Sequence, residues 1–268
     1  MQQDSIDQAD LNSQTTATAP NAQTTAQPEK LLAPVWHTVL IVALVAAASI
    51  AGARNSKQLP ALSHHADKYG HLWTYVASIA LEWTLAALTL WGLRLRKTSL
   101  RSVLGPNAPG IREWFVDAGV AAVFWIVALI FLGTIATLLK PLHLHPENIR
   151  DTVSKLAPAS ALDIGAWTIL CISAGICEEF IFRGYLQLQF ERLSHRLWIG
   201  VLASSAVFGL SHGYEGLSGM LLIIAFGALF SVLRLLRGNT RAGMIAHAWH
   251  DFFSGIVLYA LAHHKLLS

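Results

Sequence analysis

Residues 161–190 read ALDIGAWTILCISAGICEEFIFRGYLQLQF. A membrane core takes roughly 20 predominantly apolar residues per helix, and this run supplies them with Glu178, Glu179 and Arg183 inside. An ionisable group at that depth costs at least ~2.5–3.5 kcal/mol. The stretch therefore reads as a membrane helix whose charges are kept for a reason. Tyr185–Glu191 contains neither Pro nor an internal Gly, so the helix is predicted to run past Arg183 to about Phe190.

Composition agrees with that reading. Of 268 residues, 54% are hydrophobic and 13% charged, against about 25% charged in an ordinary soluble domain, and mean hydropathy is +0.48. Such a chain cannot cover a soluble globule with polar surface, which excludes a soluble enzyme, a disordered protein and a disulfide scaffold. Cys171 and Cys177 form no CxxC pair. The net charge of +3 fits loop charge at a membrane surface better than a nucleic-acid footprint, so no nucleic-acid partner is expected.

The fold class expected is all-α, a polytopic transmembrane bundle of about seven spans. The spans run from about Val35 to Ala53, Leu72 to Leu93, Phe115 to Leu139, Ala161 onward, Leu197 to Tyr214, Leu217 to Leu233, and Ala242 to Ala262. Residues 1–30, rich in Gln, Thr, Ala and Asp, read as a disordered tail without a cleavable signal. Residues 31–160 carry the N-terminal membrane helices, 161–262 a core bearing the charges, and 263–268 a short tail. The stretch Gln187 to Arg196 is amphipathic and is expected at the membrane interface.

Orientation follows from Lys and Arg. With the N-terminus inside, the cytoplasmic side holds Lys30, Arg94, Arg96, Lys97, Arg101, Arg112, Arg183, Arg192, Arg196, Arg234, Arg237 and Arg241, 12 of 19. We expect a multi-pass protein of the plasma (inner) membrane with a cytoplasmic N-terminus and a polar site in the cytoplasmic half.

The last hundred residues concentrate the intramembrane polar groups. Glu179 and Arg183 are four apart on a helix and share a face, so they are expected to pair. Glu178, rotated about 100° away, is left without an adjacent cation. Low dielectric penalises an ionised carboxylate lacking a counter-charge, which suits a general base working near neutrality. The next span carries Phe208, Ser211 and His212, and the last carries His247, His250 and Asp251. His247 and Asp251 lie one turn apart, so the carboxylate can orient the imidazole. A base, a group to hold water and a pair to polarise a carbonyl are the parts that amide hydrolysis requires.

Glu178-Glu179-xxx-Arg183, then Phe208-xxx-His212, then His247-xxx-Asp251 resembles the EExxxR, FxxxH and HxxxN/D series of the type II CAAX prenyl endopeptidase and bacteriocin-processing (CPBP) intramembrane proteases. The resemblance implies Glu178 as base, His212 as its water partner, and His247 with Asp251 as oxyanion support. Glu179 and Arg183 would form a structural pair, and Phe208 the support of its motif. The expected activity is hydrolysis of a peptide bond in a peptide or membrane-protein substrate, CAAX-type processing included.

Other readings compete. Gly209-Leu-Ser211-His212-Gly213 matches GxSxG, and a Ser211–His247 dyad would make a rhomboid-like serine protease, but that pattern has its mechanical meaning at a strand-to-helix turn. A proton-coupled transporter or an immunity scaffold would use the same charges without hydrolysis. Glu178, His212 and His247 are ligand types zinc accepts, but there is no HExxH, so a divalent metal such as Zn is not favoured. Glu82 is expected to be an interhelical hydrogen-bonding group and His250 structural. His64, His65, His71, His143, His145, His263 and His264 are assigned to loops and tail. The sequence leaves the oligomeric state open.

Overall fold

The computed structural model describes residues 30–62, 70–107, 110–139 and 158–263. The N-terminal tail up to residue 29 and His64, His65, His143, His145 and His264 lie outside the described residues. No strand occurs among the described residues, and the chain is an all-α bundle. Its elements are α1 (Val35–Leu62), α2 (Gly70–Leu95), the short α3 (Leu100–Leu104), α4 (Ile111–Leu139), α5 (Ala161–Glu178), a π-helical segment (Glu179–Leu186), α6 (Gln187–Ser194), α7 (Leu197–Ser211), a 3₁₀ turn (Gly213–Glu215), α8 (Gly216–Arg237) and α9 (Arg241–His263).

Among the described residues, five helical stretches are long and apolar enough to cross a membrane: Val35–Arg54, His71–Leu95, Ile111–Leu139, Ala161–Ser194 and Gly213–Arg237. Two of the seven expected spans fall short of that standard. α7 has 15 residues, about 22 Å of helix against a hydrocarbon core of about 30 Å. α9 is long enough, but His247, His250 and Asp251 lower its apolarity. Both shortfalls occur where the polar groups gather.

The continuation predicted beyond Arg183 is present, and it reaches Ser194. The sequence does not foretell its form. Glu179–Leu186 winds as a π-helix, with the Gln187 N–H donating to Phe182 O. Such wide turns are rare and recur at functional sites. The carbonyl of Phe182 also accepts the Ser204 hydroxyl from α7 at 2.6 Å.

Local chemistry sets the helix ends. Ser160 caps α5 by accepting from Asp163 N at 3.1 Å, while the Asp163 carboxylate accepts from Ala159 N at 3.2 Å, satisfying two N–H groups that have no partner within the helix. α8 ends on Gly238 in the left-handed region, its N–H donating to Arg234 O, a conformation that costs glycine little.

Packing runs in a circuit: α1 touches α2, α2 touches α5, α5 touches α9, α9 touches α4, α4 touches α8, α8 touches α7, and α7 returns to α1. One end collects the start of α1, the end of α2, α3, the start of α4, the end of α8 and the start of α9. Three sets of bonds tie that end together. Asp117 of α4 is fully buried and holds Arg237 at 2.7 Å and Arg241 at 2.6 Å. α3 accepts from Arg234 through Val103 O at 3.2 Å. Gln189 of α6 receives Leu32 N at 2.9 Å and Ala33 N at 3.3 Å, and gives its amide to Ala33 O at 2.9 Å.

α5 and α9 approach closely at Gly175. A Cβ there would stand 2.7 Å from Met244 O and 3.1 Å from Ala248 Cβ, so only a hydrogen fits, as at other small-residue crossings in membranes. Gly175→Val is expected to cost about 1–3 kcal/mol of stability as an overpacked contact, read as a lower thermal midpoint in detergent. It is also expected to reduce activity by spreading the two helices that carry Glu178 and His247.

Candidate active site

α5, α7 and α9 bring the three motifs to one cavity of about 1080 Å³, whose lining includes Glu178, Phe208, His212, His247, His250 and Asp251. α2 and α4, which the motifs do not reach, contribute walls, among them Glu82 and Trp125. Glu179 and Arg183 lie behind the floor of the cavity, each 1% exposed.

The buried pair forms as the i, i+4 spacing predicts, with Arg183 Nη1 2.9 Å from Glu179 Oε1. Arg183 Nη2 donates to Gly227 O at 3.3 Å. Its guanidinium stands 4.2 Å from the Phe208 ring centroid and 5.0 Å from that of Phe230, so two aromatic faces as well as a carboxylate receive the charge. Phe208 thus supports Arg183 on one side and approaches His212 on another, with ring centroids 5.1 Å apart.

His247 has three carboxylates around it. Its Nδ1 is 3.1 Å from Glu179 Oε1, and its Nε2 is 3.5 Å from Glu178 Oε2 and 3.7 Å from Asp251 Oδ2. The shortest contact is to Glu179 and not, as the one-turn spacing on α9 implies, to Asp251. Glu179 therefore bridges Arg183 and His247, a link between helices that no spacing within one helix reveals. A carboxylate oxygen accepts, so His247 Nδ1 carries the hydrogen toward Glu179. Three acidic groups about one imidazole make a place for positive charge.

Glu178 Oε2 is buried without a hydrogen-bond partner among the described residues. Its closest charged neighbour is His247, since the Arg183 guanidinium is committed to Glu179. His212 closes α7 as its C-terminal cap. Its Nδ1 lies 3.0 Å from Phe208 O, which only accepts, so Nδ1 holds the hydrogen and Nε2 is left as the basic nitrogen. Ser211 donates to the same Phe208 O at 2.6 Å and lies 3.0 Å from His212 Nδ1. Its hydroxyl proton is thus held by the backbone and its imidazole neighbour is His212, which gives the Ser211–His247 dyad no support.

Sequence reasoning passed over part of the lining. Glu82 accepts from Ser173 Oγ at 2.6 Å, the interhelical bond expected of it, yet it also lines the cavity. Tyr214 and Glu215 line it as well. An acid two residues after Gly213, between two apolar runs, was the available signal. His250 packs on Phe226, with centroids 4.6 Å apart, and its Nδ1 has no hydrogen-bond partner among the described residues.

Among the described residues, no group of three or more His, Cys, Asp and Glu side chains is arranged to hold a metal ion.

Residues 160–253 match the family model described as type II CAAX prenyl endopeptidase Rce1-like. No curated protein matches the chain, and no solved structure does. The matched span begins at the Ser160 cap and ends two residues beyond Asp251, so it contains all three motifs and omits α1, α2 and α4.

Proposed function

We propose, from the premise that residues 160–253 belong to the CAAX-type intramembrane endopeptidases, that this chain hydrolyses a peptide bond by a water activated at Glu178. The observation that carries the reading is the convergence of Glu178, His212, His247 and Asp251 from three helices on one cavity. Glu178 takes a proton from water as the oxygen attacks the carbonyl carbon. His212, basic at Nε2, accepts a hydrogen bond from that water and fixes its direction. His247, positively charged among its carboxylates, donates to the oxygen that becomes negative. Asp251 and Glu179 hold the ring from either side, and Arg183 neutralises Glu179 from behind. Collapse of the tetrahedral species breaks the C–N bond as Glu178 returns its proton to the leaving nitrogen, giving an acid and an amine.

The substrate we assign is a peptide or membrane-protein segment reaching the cavity within the bilayer. N-terminus inside, in the plasma membrane, is the orientation we propose from the arginine-rich end.

The test is cleavage of a library of model membrane peptides by purified protein, with Glu178→Gln and His212→Ala beside the wild type. Loss in both variants, with melting behaviour kept, is expected. Activity retained in Glu178→Gln would remove the reading. Ser211→Ala separates the serine mechanism in the same assay. Its hydroxyl donates to Phe208 O and neighbours His212 Nδ1, and Phe208 O still holds that nitrogen without it, so the rate is expected to stay within about threefold of wild type, where loss of a true nucleophile costs orders of magnitude.

A further inference from the structure

The cavity has a direction. Its contribution from α2 ends at Glu82, about 20 Å of helix short of Leu95. Its contribution from α5 ends at Glu178, and that from α8 at Phe226, about 16 Å of helix before Arg237. On α9 it begins at His247 and extends to Leu258, about 16 Å farther from Arg241. On each of these four helices the lining stops at the catalytic level and continues only away from the arginine-rich end.

Toward that end the molecule is closed. Arg183, Phe208 and Phe230 are each 1% exposed and stack on one another beneath the floor. Beyond them lies α3, whose Val103 is fully buried. α3 is latched by Arg234 to Val103 O and by Thr240 N to Leu104 O at 3.0 Å. Substrate approaching from the arginine-rich face would meet two packed layers before any catalytic group.

We infer that the catalytic floor is reached from the membrane face opposite the arginine-rich end, so that the substrate is a polypeptide segment presented on that face. The inference deepens the protease reading and rests on it for the word substrate, while the access route rests on the packing alone. The catalytic level lies about 9 Å along α9 from Arg241, about 16 Å along α8 from Arg237 and about 20 Å along α2 from Leu95, and the lining runs from it the other way. A scissile bond must therefore be drawn well below the surface it enters from. Trp125 and Trp167, on opposite helices of the shaft, suit an apolar stretch that leads the bond down.

The experiment uses the full-length chain with Cys171→Ser and Cys177→Ser, into which one cysteine is placed at a time: Ser78→Cys on α2, Ser254→Cys on α9, or Arg96→Cys at the arginine-rich end. Sealed right-side-out and inside-out vesicles are treated with a membrane-impermeant maleimide. Ser78→Cys and Ser254→Cys are expected to label in one vesicle orientation and Arg96→Cys in the other. Labelling of all three in the same orientation would overturn the inference. So would labelling of neither shaft position from either side, which would mean entry through the lipid. Two shaft positions on different helices keep the test decisive if one variant misfolds, with folding scored by size-exclusion profile. Labelling reads access whether or not the chain cuts peptides, and the Glu178→Gln comparison reads hydrolysis whatever the side, so the two readings fail separately.

Discussion

Glu178→Gln is expected to lower peptide cleavage by roughly 10²–10⁴-fold, the usual contribution of a positioned general base, while leaving the fold intact. Gln matches Glu in shape and cannot take a proton from water. The Glu178 carboxylate holds nothing together: Oε2 has no hydrogen-bond partner among the described residues, and its nearest charge, His247 at 3.5 Å, keeps Glu179 and Asp251. Turnover should fall with the apparent KM little changed, because the lost interaction forms with the attacking water and not with the bound peptide. A rate loss accompanied by a lower thermal midpoint would instead assign Glu178 to the scaffold.

Arg183→Leu is expected to be the most damaging single change to stability, by about 3–5 kcal/mol, the cost of leaving one member of a buried ion pair uncompensated. Glu179 would keep its place at 1% exposure with only an imidazole to face. The two aromatic rings would lose their cation, and the carbonyl of Gly227 its donor. The check is a melt in detergent of Arg183→Leu, Glu179→Leu and the double variant. The double variant should recover a large part of the single losses, since an apolar pair leaves no stranded charge. Activity should not return with it, because His247 will have lost the carboxylate at its Nδ1.

Some of this architecture was legible in the residues themselves. The length and apolarity of each run predicts a helix, and the i, i+4 spacing of Glu179 and Arg183 predicts their pair, because both depend on neighbours along one helix. The absence of Pro and Gly from Tyr185 to Glu191 predicts continuation in the same way. What escaped depends on contacts between helices. Glu179 reaches His247 across 68 positions of sequence, and Asp117 finds Arg237 and Arg241 from another span. The π winding of Glu179–Leu186 leaves no mark in composition, because the residues that form it suit an α-helix equally. Glu82, Tyr214 and Glu215 join the cavity through its shape, which spacing cannot supply.

The clasp of Gln189 on Leu32 and Ala33 bears on time as well as on shape. Leu32, just ahead of the first span, and Gln189, in the fourth, are separated by 157 positions. At synthesis rates of about 5–20 residues per second, that interval lasts roughly 8–30 seconds. Throughout it the entry to α1 has two backbone N–H groups awaiting an acceptor that has not been made. α1 is thus a helix whose docking finishes late, and a chain interrupted before Gln189 carries that span with its clasp unmade. The bundle closes on its α1 end, and quality control would meet every premature fragment with that end undone.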